Sequence, residues 1–158
     1  MSDSEPIIAL ENVYKIFGPN PRGRAFDLCS AGVGKDEVQR QTGHVVGMRD
    51  ISFEVQKGEI FVVMGLSGSG KSTAIRTVNK LHDVTHGRVL VEGTDVQQLR
   101  GAALQAFRRE KTAMVFQHFA LFPHRNVIDN TAYGLKVQGV DKKERHEAAI
   151  EALAMVGL

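Results

Sequence analysis

An α/β fold is predicted for this chain by three observations. The stretch Met48–Val55 alternates, with Ile51, Phe53 and Val55 on one face and Ser52 and Glu54 on the other, which is the period of a half-buried strand. The run Ile60–Met64 is continuously apolar, as a central parallel strand buried on both faces would be. A glycine-rich turn then leads into Lys71–Leu81, where Ala74, Ile75, Val78 and Leu81 recur at helical spacing.

The other elements follow in order. Ile7–Phe17 is rich in β-branched and aromatic residues and predicts a strand ending at Gly18-Pro19-Asn20-Pro21. Arg22 to Gly47 has no strand pattern; short helices are expected near Arg24–Ala31 and Lys35–Gln41, broken by Gly32, Gly34 and Gly43. Gln56-Lys57-Gly58 turns the alternating strand. Arg88–Val91 predicts a strand closed by Glu92-Gly93, Ala102–Arg109 a helix, and Thr112–Phe116 a second short apolar strand. After Gln117 comes a loop containing Pro123, then helices over Asn126–Val137 and Asp141–Val156. The last opens on Asp141 with Glu144 three residues on, a capping-box pattern, and carries Ala148, Ile150, Ala152, Leu153 and Val156 as its apolar set. These elements make an antiparallel β subdomain (Ile7–Phe17, Met48–Val55, Arg88–Val91), a core around the glycine-rich turn (Ile60–Leu81, Thr112–Phe116), and the start of a helical subdomain from about residue 126.

Composition excludes several classes. The 158 residues suit one domain, and 42% hydrophobic with 24% charged residues is a globular balance. Twenty Lys+Arg against 18 Asp+Glu leave a net charge of +2, so no basic stripe argues for nucleic acid. Cys29 is the single cysteine, which rules out an internal disulfide. Ile7–Leu10 is too short for a signal-peptide core, and no run approaches the ~18 apolar residues of a membrane span. The expectation is a chain that is soluble, or peripheral to a membrane through a partner.

The chemistry lies in Gly65-Leu66-Ser67-Gly68-Ser69-Gly70-Lys71-Ser72-Thr73. This is G-x-x-x-x-G-K-[ST], set between an expected strand and an expected helix as a P-loop NTPase core requires. Gly65, Gly68 and Gly70 let backbone N–H groups converge where β-carbons would obstruct them, and the helix N-terminus adds partial positive charge there. Ser67 and Ser69 complete the loop. Lys71 supplies a full charge for β- and γ-phosphates, the Ser72 hydroxyl suits Mg2+, and Thr73 donates toward an α-phosphate. Gly32-Val33-Gly34-Lys35 looks similar but fails: Cys29 stands where the first glycine belongs, and Asp36 where Ser or Thr is needed. Asn79-Lys80-Leu81-His82 approaches the guanine-reading Asn-Lys-x-Asp, but His82 lacks the carboxylate, and no Asp-x-x-Gly occurs.

Glu59-Ile60-Phe61-Val62-Val63-Met64 followed by the loop, then Val115-Phe116-Gln117, resembles the ATP-binding subunit of an ABC transporter. The resemblance covers nearly the whole chain. It implies ATP and Mg2+ as cofactors and ATPase activity in the intact subunit. It implies that Gln117 touches Mg2+ and the attacking water, and that Phe17 is the aromatic that stacks on adenine. The competing reading of Phe17 is a core residue. The segment Pro19–Gly47 is an insertion relative to most of that family. With Ala113-Met114-Val115-Phe116-Gln117 and Phe119-Ala120-Leu121-Phe122-Pro123-His124, it is similar to the glycine betaine/proline subgroup of osmoprotectant importers. The partners implied are a transmembrane permease subunit, a second ATP-binding subunit and, indirectly, a substrate-binding protein, with no nucleic acid. The place implied is the cytoplasmic face of the cell membrane, as a peripheral subunit.

Leu-Ser-Gly-Gly-Gln and a four-residue apolar run ending in Asp-Glu, both family features, are absent from the 158 residues. The expectation is therefore the N-terminal part of a longer subunit, truncated within the ATPase domain and inactive as it stands. Two alternatives are a soluble ABC-type ATPase without a transporter, which a membrane partner at Phe119–Arg125 would exclude, and a non-catalytic nucleotide-binding module. The remaining candidates read more plainly. His82 and His86 are expected in a solvated turn and not as a metal pair, because Thr85 and Gly87 disfavour a helix there. His118 and His124 flank the loop after Gln117 and suit either surface or partner contact. Arg108-Arg109 and Lys142-Lys143 are expected on solvated helix faces, and Cys29 as a buried, inert thiol.

Overall fold

The computed structural model describes residues 5–117 and 121–158. The chain divides into two compact units, Met1–Leu99 and Arg100–Leu158.

The first unit is built on a four-stranded antiparallel sheet in the order β2-β1-β3-β4. Its strands are β1 (Ile8–Phe17), β2 (Val45–Val55), β3 (His86–Val91) and β4 (Thr94–Asp95). β1 is central, pairing with β2 from Ile8↔Val55 to Phe17↔Val45 and with β3 from Ile8↔Val91 to Tyr14↔His86. Its side chains Leu10, Val13 and Ile16 are fully buried, as are Val89 of β3 and Val96 of the 3-10 turn Val96–Gln98. Both ladders slip near Asn12, where Asn12 and Asp50 take left-handed backbone with φ 46° and 48°. The Asn12 N–H donates to Ser52 Oγ at 2.9 Å, and its side-chain amide donates to Asp50 at 3.0 Å, so the irregularity leaves those donors satisfied.

The insertion folds as α1 (Arg24–Ser30) and α2 (Lys35–Thr42), close to the expected bounds. Ala25, Cys29 and Val38 bury against Ile16 of β1, with Tyr14, Phe26, Leu28, Val33 and Val46 around them. Cys29 is thus a buried free thiol. The turn at Gly32, with φ 85°, joins the two helices, so Gly32-Val33-Gly34 is a connecting loop and Lys35 is the first residue of α2.

Helix α3 (Lys71–Val78) ends three residues before the expected Leu81. Lys80 takes φ 50°, and the N–H groups of Leu81 and Lys80 return to the carbonyls of Arg76 and Thr77 at 2.8 and 3.0 Å, a Schellman closure. The buried Lys80 ammonium donates to the Gln97 carbonyl at 2.7 Å and pairs with Asp83 at 2.9 Å. Gln97 also accepts from Val84 N–H at 3.1 Å, so α3 is tied to the strands following it.

Two expected strands are not formed. Residues 60–64 hold no strand, and Ile60 and Met64 are 89% and 86% exposed instead of buried on both faces. Phe61 stacks on Phe53 of β2, with ring centroids 4.7 Å apart. In the second unit, residues 112–116 likewise hold no strand, and Val115 is 98% exposed. An apolar run becomes a strand only when neighbouring strands take up its N–H and C=O groups, and neither run has such a neighbour among the described residues.

The second unit contains α4 (Gly101–Glu110), α5 (Val127–Thr131), α6 (Tyr133–Val137) and α7 (Lys142–Met155). The single helix expected over 126–137 is divided at Ala132, where ψ is −3°. Asn126 caps α5 through Asp129 N–H at 2.7 Å, and Asp141 caps α7 through Lys143 N–H at 2.8 Å. α7 packs on α5 and α6, and its buried residue is Ala149 while Ile150 is exposed, so the buried stripe is rotated from the expected apolar set.

Candidate functional site

The loop of residues 65–70 owes its shape to its glycines. Gly65, Gly68 and Gly70 have φ 157°, 75° and 94°, and the last two lie well inside the left-handed region that other residues avoid. A β-carbon at Gly70 would stand 2.3 Å from the Gly47 carbonyl oxygen, so only glycine lets the loop approach β2. Gly70 is also the N-cap of α3, which directs the helix N-terminus toward the loop. The Lys71 ammonium donates to the carbonyls of Gly65 and Leu66 at 2.6 and 2.7 Å and to Ser69 Oγ at 3.3 Å. A full positive charge is therefore held within the loop. The hydroxyls of Ser72 and Thr73, in the first turn of α3, make no hydrogen bond among the described residues.

A cleft of about 250 Å³ is lined by Phe17, Val45, Val46, Gly47 and residues 68–73. The fold thus brings Phe17, at the end of β1, to the same cleft as the phosphate-loop residues fifty positions later. Phe17 is half-buried and faces this cleft, so it is not a residue of the closed core. Lys15 Nζ lies 4.8 Å from its ring centroid, and His82 meets the ring in T-shaped geometry at 5.5 Å. Burial lowers the Lys15 ammonium below its usual range, against an opposing pull from Asp83. Burial, then the charges of Lys15 and Arg76, depress His82. Lys15 did not stand out in the sequence, and His82, expected in a solvated turn, is instead half-buried against the Phe17 ring. The Lys15-x-Phe17 spacing on a strand, which puts both residues on one face, was the available signal.

The match of the ABC transporter family profile runs over residues 48–158. The chain belongs to the ABC transporter family. Its curated relatives within that family include two glycine betaine transport proteins. The glycine betaine/proline betaine transport system ATP-binding protein ProV of Escherichia coli K12 is 48% identical over 151 residues, 96% of this chain and 38% of that protein. The glycine betaine transport ATP-binding protein OpuAA of Bacillus subtilis 168 is 48% identical over 157 residues, 99% of this chain and 37% of that one. The chain therefore spans less than two-fifths of the length of these relatives. Among solved structures, the ATP-binding cassette MJ0796, in a dimeric post-hydrolysis state bound to ADP and Pi, superposes with a TM-score of 0.75 at 25% identity. That superposition covers 96% of this chain and 57% of the cassette.

The remaining expected residues of this ABC chain fall as follows. Gln117 is exposed at a bend in the second unit. His118, Phe119 and Ala120 lie outside the described residues. The following loop is held by Asn130, which accepts from Phe122 N–H at 2.8 Å and donates to the carbonyls of Phe122, Arg125 and Asn126. Arg125 sits over both Phe122 and Tyr133, at 5.0 and 4.7 Å, and Phe122 also meets His124. His82 and His86 pack on aromatic rings, and no cluster of metal-ligating side chains occurs among the described residues. No helix of the described residues is long and apolar enough to cross a membrane.

Proposed function

We propose that this chain is the N-terminal part, residues 1–158, of an ABC-type ATP-binding domain that binds Mg-ATP and energises import of glycine betaine/proline-type osmoprotectants. The insertion is residues 19–47 and the helical subdomain begins at about 126. The observation that carries the nucleotide assignment is the shared cleft of Phe17 and residues 68–73. The fit to a nucleotide rests on three features: a glycine loop that can lie against Gly47 only because Gly70 has no Cβ, an ammonium held within that loop, and an aromatic ring lining the same cleft.

In this reading the amides of Gly65, Ser67, Gly68, Ser69 and Gly70 and the Lys71 ammonium hold the β- and γ-phosphates. Thr73 donates to the α-phosphate, and Phe17 stacks on the adenine. By the family resemblance, Ser72 would supply a hard oxygen ligand for Mg2+, and Gln117 would serve as a ligand and orient the attacking water. Bound Mg2+ would neutralise charge on the transferring phosphoryl group. The 48% identity to glycine betaine transport ATP-binding proteins supports the solute class. By the same likeness, the intact subunit pairs with a second copy and with a permease that receives solute from a binding protein, at the cytoplasmic face of the membrane. The segment Phe119–Arg125 is the proposed permease contact.

Lys71→Ala tests the assignment. Loss of a charge-assisted contact of ~1.5–3 kcal/mol corresponds to roughly 10- to 150-fold weaker ATP binding. A variant that titrates with ATP like the parent chain would refute the phosphate-loop role. For the solute, the intact subunit should restore glycine betaine uptake to osmotically stressed cells lacking their own importer ATPase, and its Lys71→Ala form should not. Nucleotide binding without rescue would favour an ABC-type ATPase of another kind.

A further inference from the structure

We propose that Lys15 is a positioning residue for the base platform: its ammonium braces Phe17 from outside the cleft and makes the ring a stacking surface that favours purine nucleotides. The inference rests on the nucleotide reading above.

Lys15 and Phe17 are two apart on β1 and so project to the same side of the strand. Lys15 Nζ lies 4.8 Å from the Phe17 centroid, within cation–π range. Phe17 lines the cleft with residues 45–47 and 68–73, and Lys15 lines no part of it. His82 packs T-shaped on the same ring at 5.5 Å, and Lys15 is one of the charges that depress it, so the two groups lie together. Gly47 closes a further side, since a β-carbon there would stand 2.6 Å from Phe17 Cε2. Lys15 and His82 therefore hold the ring from outside the cleft lining, and Gly47 confines it from within that lining.

The face of a phenyl ring carries negative potential, which repels the π-face of a stacked base. A partly desolvated ammonium on the ring draws that density toward itself and eases the repulsion on the cleft side. The gain grows with ring overlap, so a purine benefits more than a pyrimidine. An ammonium acting merely as long-range charge on the phosphates would instead strengthen every phosphate ligand alike.

The experiment compares this chain with its Lys15→Met, Lys15→Arg and Phe17→Leu variants by calorimetric titration with Mg-ATP, Mg-CTP and Mg-tripolyphosphate. For Lys15→Met the expected ATP Kd rises about five- to tenfold, while the CTP and tripolyphosphate values stay within about twofold; Lys15→Arg, which keeps a cation, stays near the parent. Lys15→Gln replaces Lys15→Met if circular dichroism shows the latter unfolded. Unchanged ATP affinity in the neutral variant overturns the proposal, and so does an equal loss for all three ligands. Phe17→Leu separates the two levels. If it weakens ATP while the neutral Lys15 variant does not, the Lys15 role fails and the nucleotide reading stands. If it leaves ATP unchanged, stacking on Phe17 fails with it.

Discussion

Gly47 touches both halves of the candidate site. Its carbonyl oxygen limits Gly70, and its missing side chain makes room for Phe17. Gly47→Ala should displace the ring and weaken ATP more than tripolyphosphate, whereas Gly70→Ala, strained at φ 94° as well as crowded, should weaken both; competitive titration separates the two patterns. An aromatic platform reads a π-face and little else, so ATP and GTP should compete within about tenfold. Phe17→Ala should weaken both and Phe17→Tyr neither. A Phe17→Ala protein that melts far lower yet keeps its nucleotide would return Phe17 to a purely structural role. His82 adds a pH dependence. Its folded-state pKa lies below its ordinary 6.5, chiefly from burial, so the fold favours the neutral ring. That contribution is complete above about pH 6.5 and is lost as pH falls through the lowered value. Melting curves between pH 7.5 and 5 should therefore show a fall in stability that His82→Gln flattens.

At the scale of elements, the first unit depends on a central strand that is not regular. Where β1 and β3 slip register, Gly87 has φ 90°, and a β-carbon there would stand 2.3 Å from the Asn12 carbonyl oxygen. Gly87→Ala should cost more than about 2 kcal/mol, because backbone and not a movable side chain blocks the new methyl. Thermal denaturation would register it as a drop of several degrees, and an unchanged midpoint would mean that the strands can part there. In the second unit, Asn130→Ala removes one acceptor and three donated bonds from the loop before α5. Faster amide exchange at Phe122 and Arg125, with α7 still protected, is the expected signature.

For the molecule as a whole, apolar exposure is the dominant feature. Residues 61–64 border a cavity of about 730 Å³ that is also lined by Met48, Ile51 and Phe53, while Ile60 stands beside it in solvent. A surface of this kind drives association. The 158-residue chain should self-associate at micromolar concentration in sedimentation runs, and Val62→Asp with Met64→Asp should reverse this. Wholly monomeric behaviour of the parent would contradict the expectation. Phosphoryl transfer also needs a positioned water and groups that act on it, beyond a phosphate cradle. No apolar run ending in Asp-Glu and no Leu-Ser-Gly-Gly-Gln lies within these residues. Phosphate release by the chain should therefore stay at the level of its Lys71→Ala control, and sustained Lys71-dependent turnover would overturn that prediction.

Sequence alone determined what local chemistry can determine. A phosphate loop must spell out its glycines, its lysine and its hydroxyls in nine consecutive residues, because contiguous backbone makes the cradle, so the loop was legible without coordinates. The alternation of β2 and the turn residues around it were legible for the same reason, as were the two short helices of the insertion. Residues 60–64 and 112–116 show the limit. Their composition specifies a strand buried on both faces, yet a strand exists only through its neighbours' hydrogen bonds, and that pairing is a property of the tertiary structure. The end of α3 is marked by Lys80 entering the left-handed region, and the bond of its ammonium to the Gln97 carbonyl is a long-range tie that helical periodicity does not encode. The joining of Phe17 with residues 68–73, and the bracing of its ring by Lys15 and His82, likewise required the folded sheet, because β2 must carry Gly47 between them before the base wall and the phosphate loop can share one cleft.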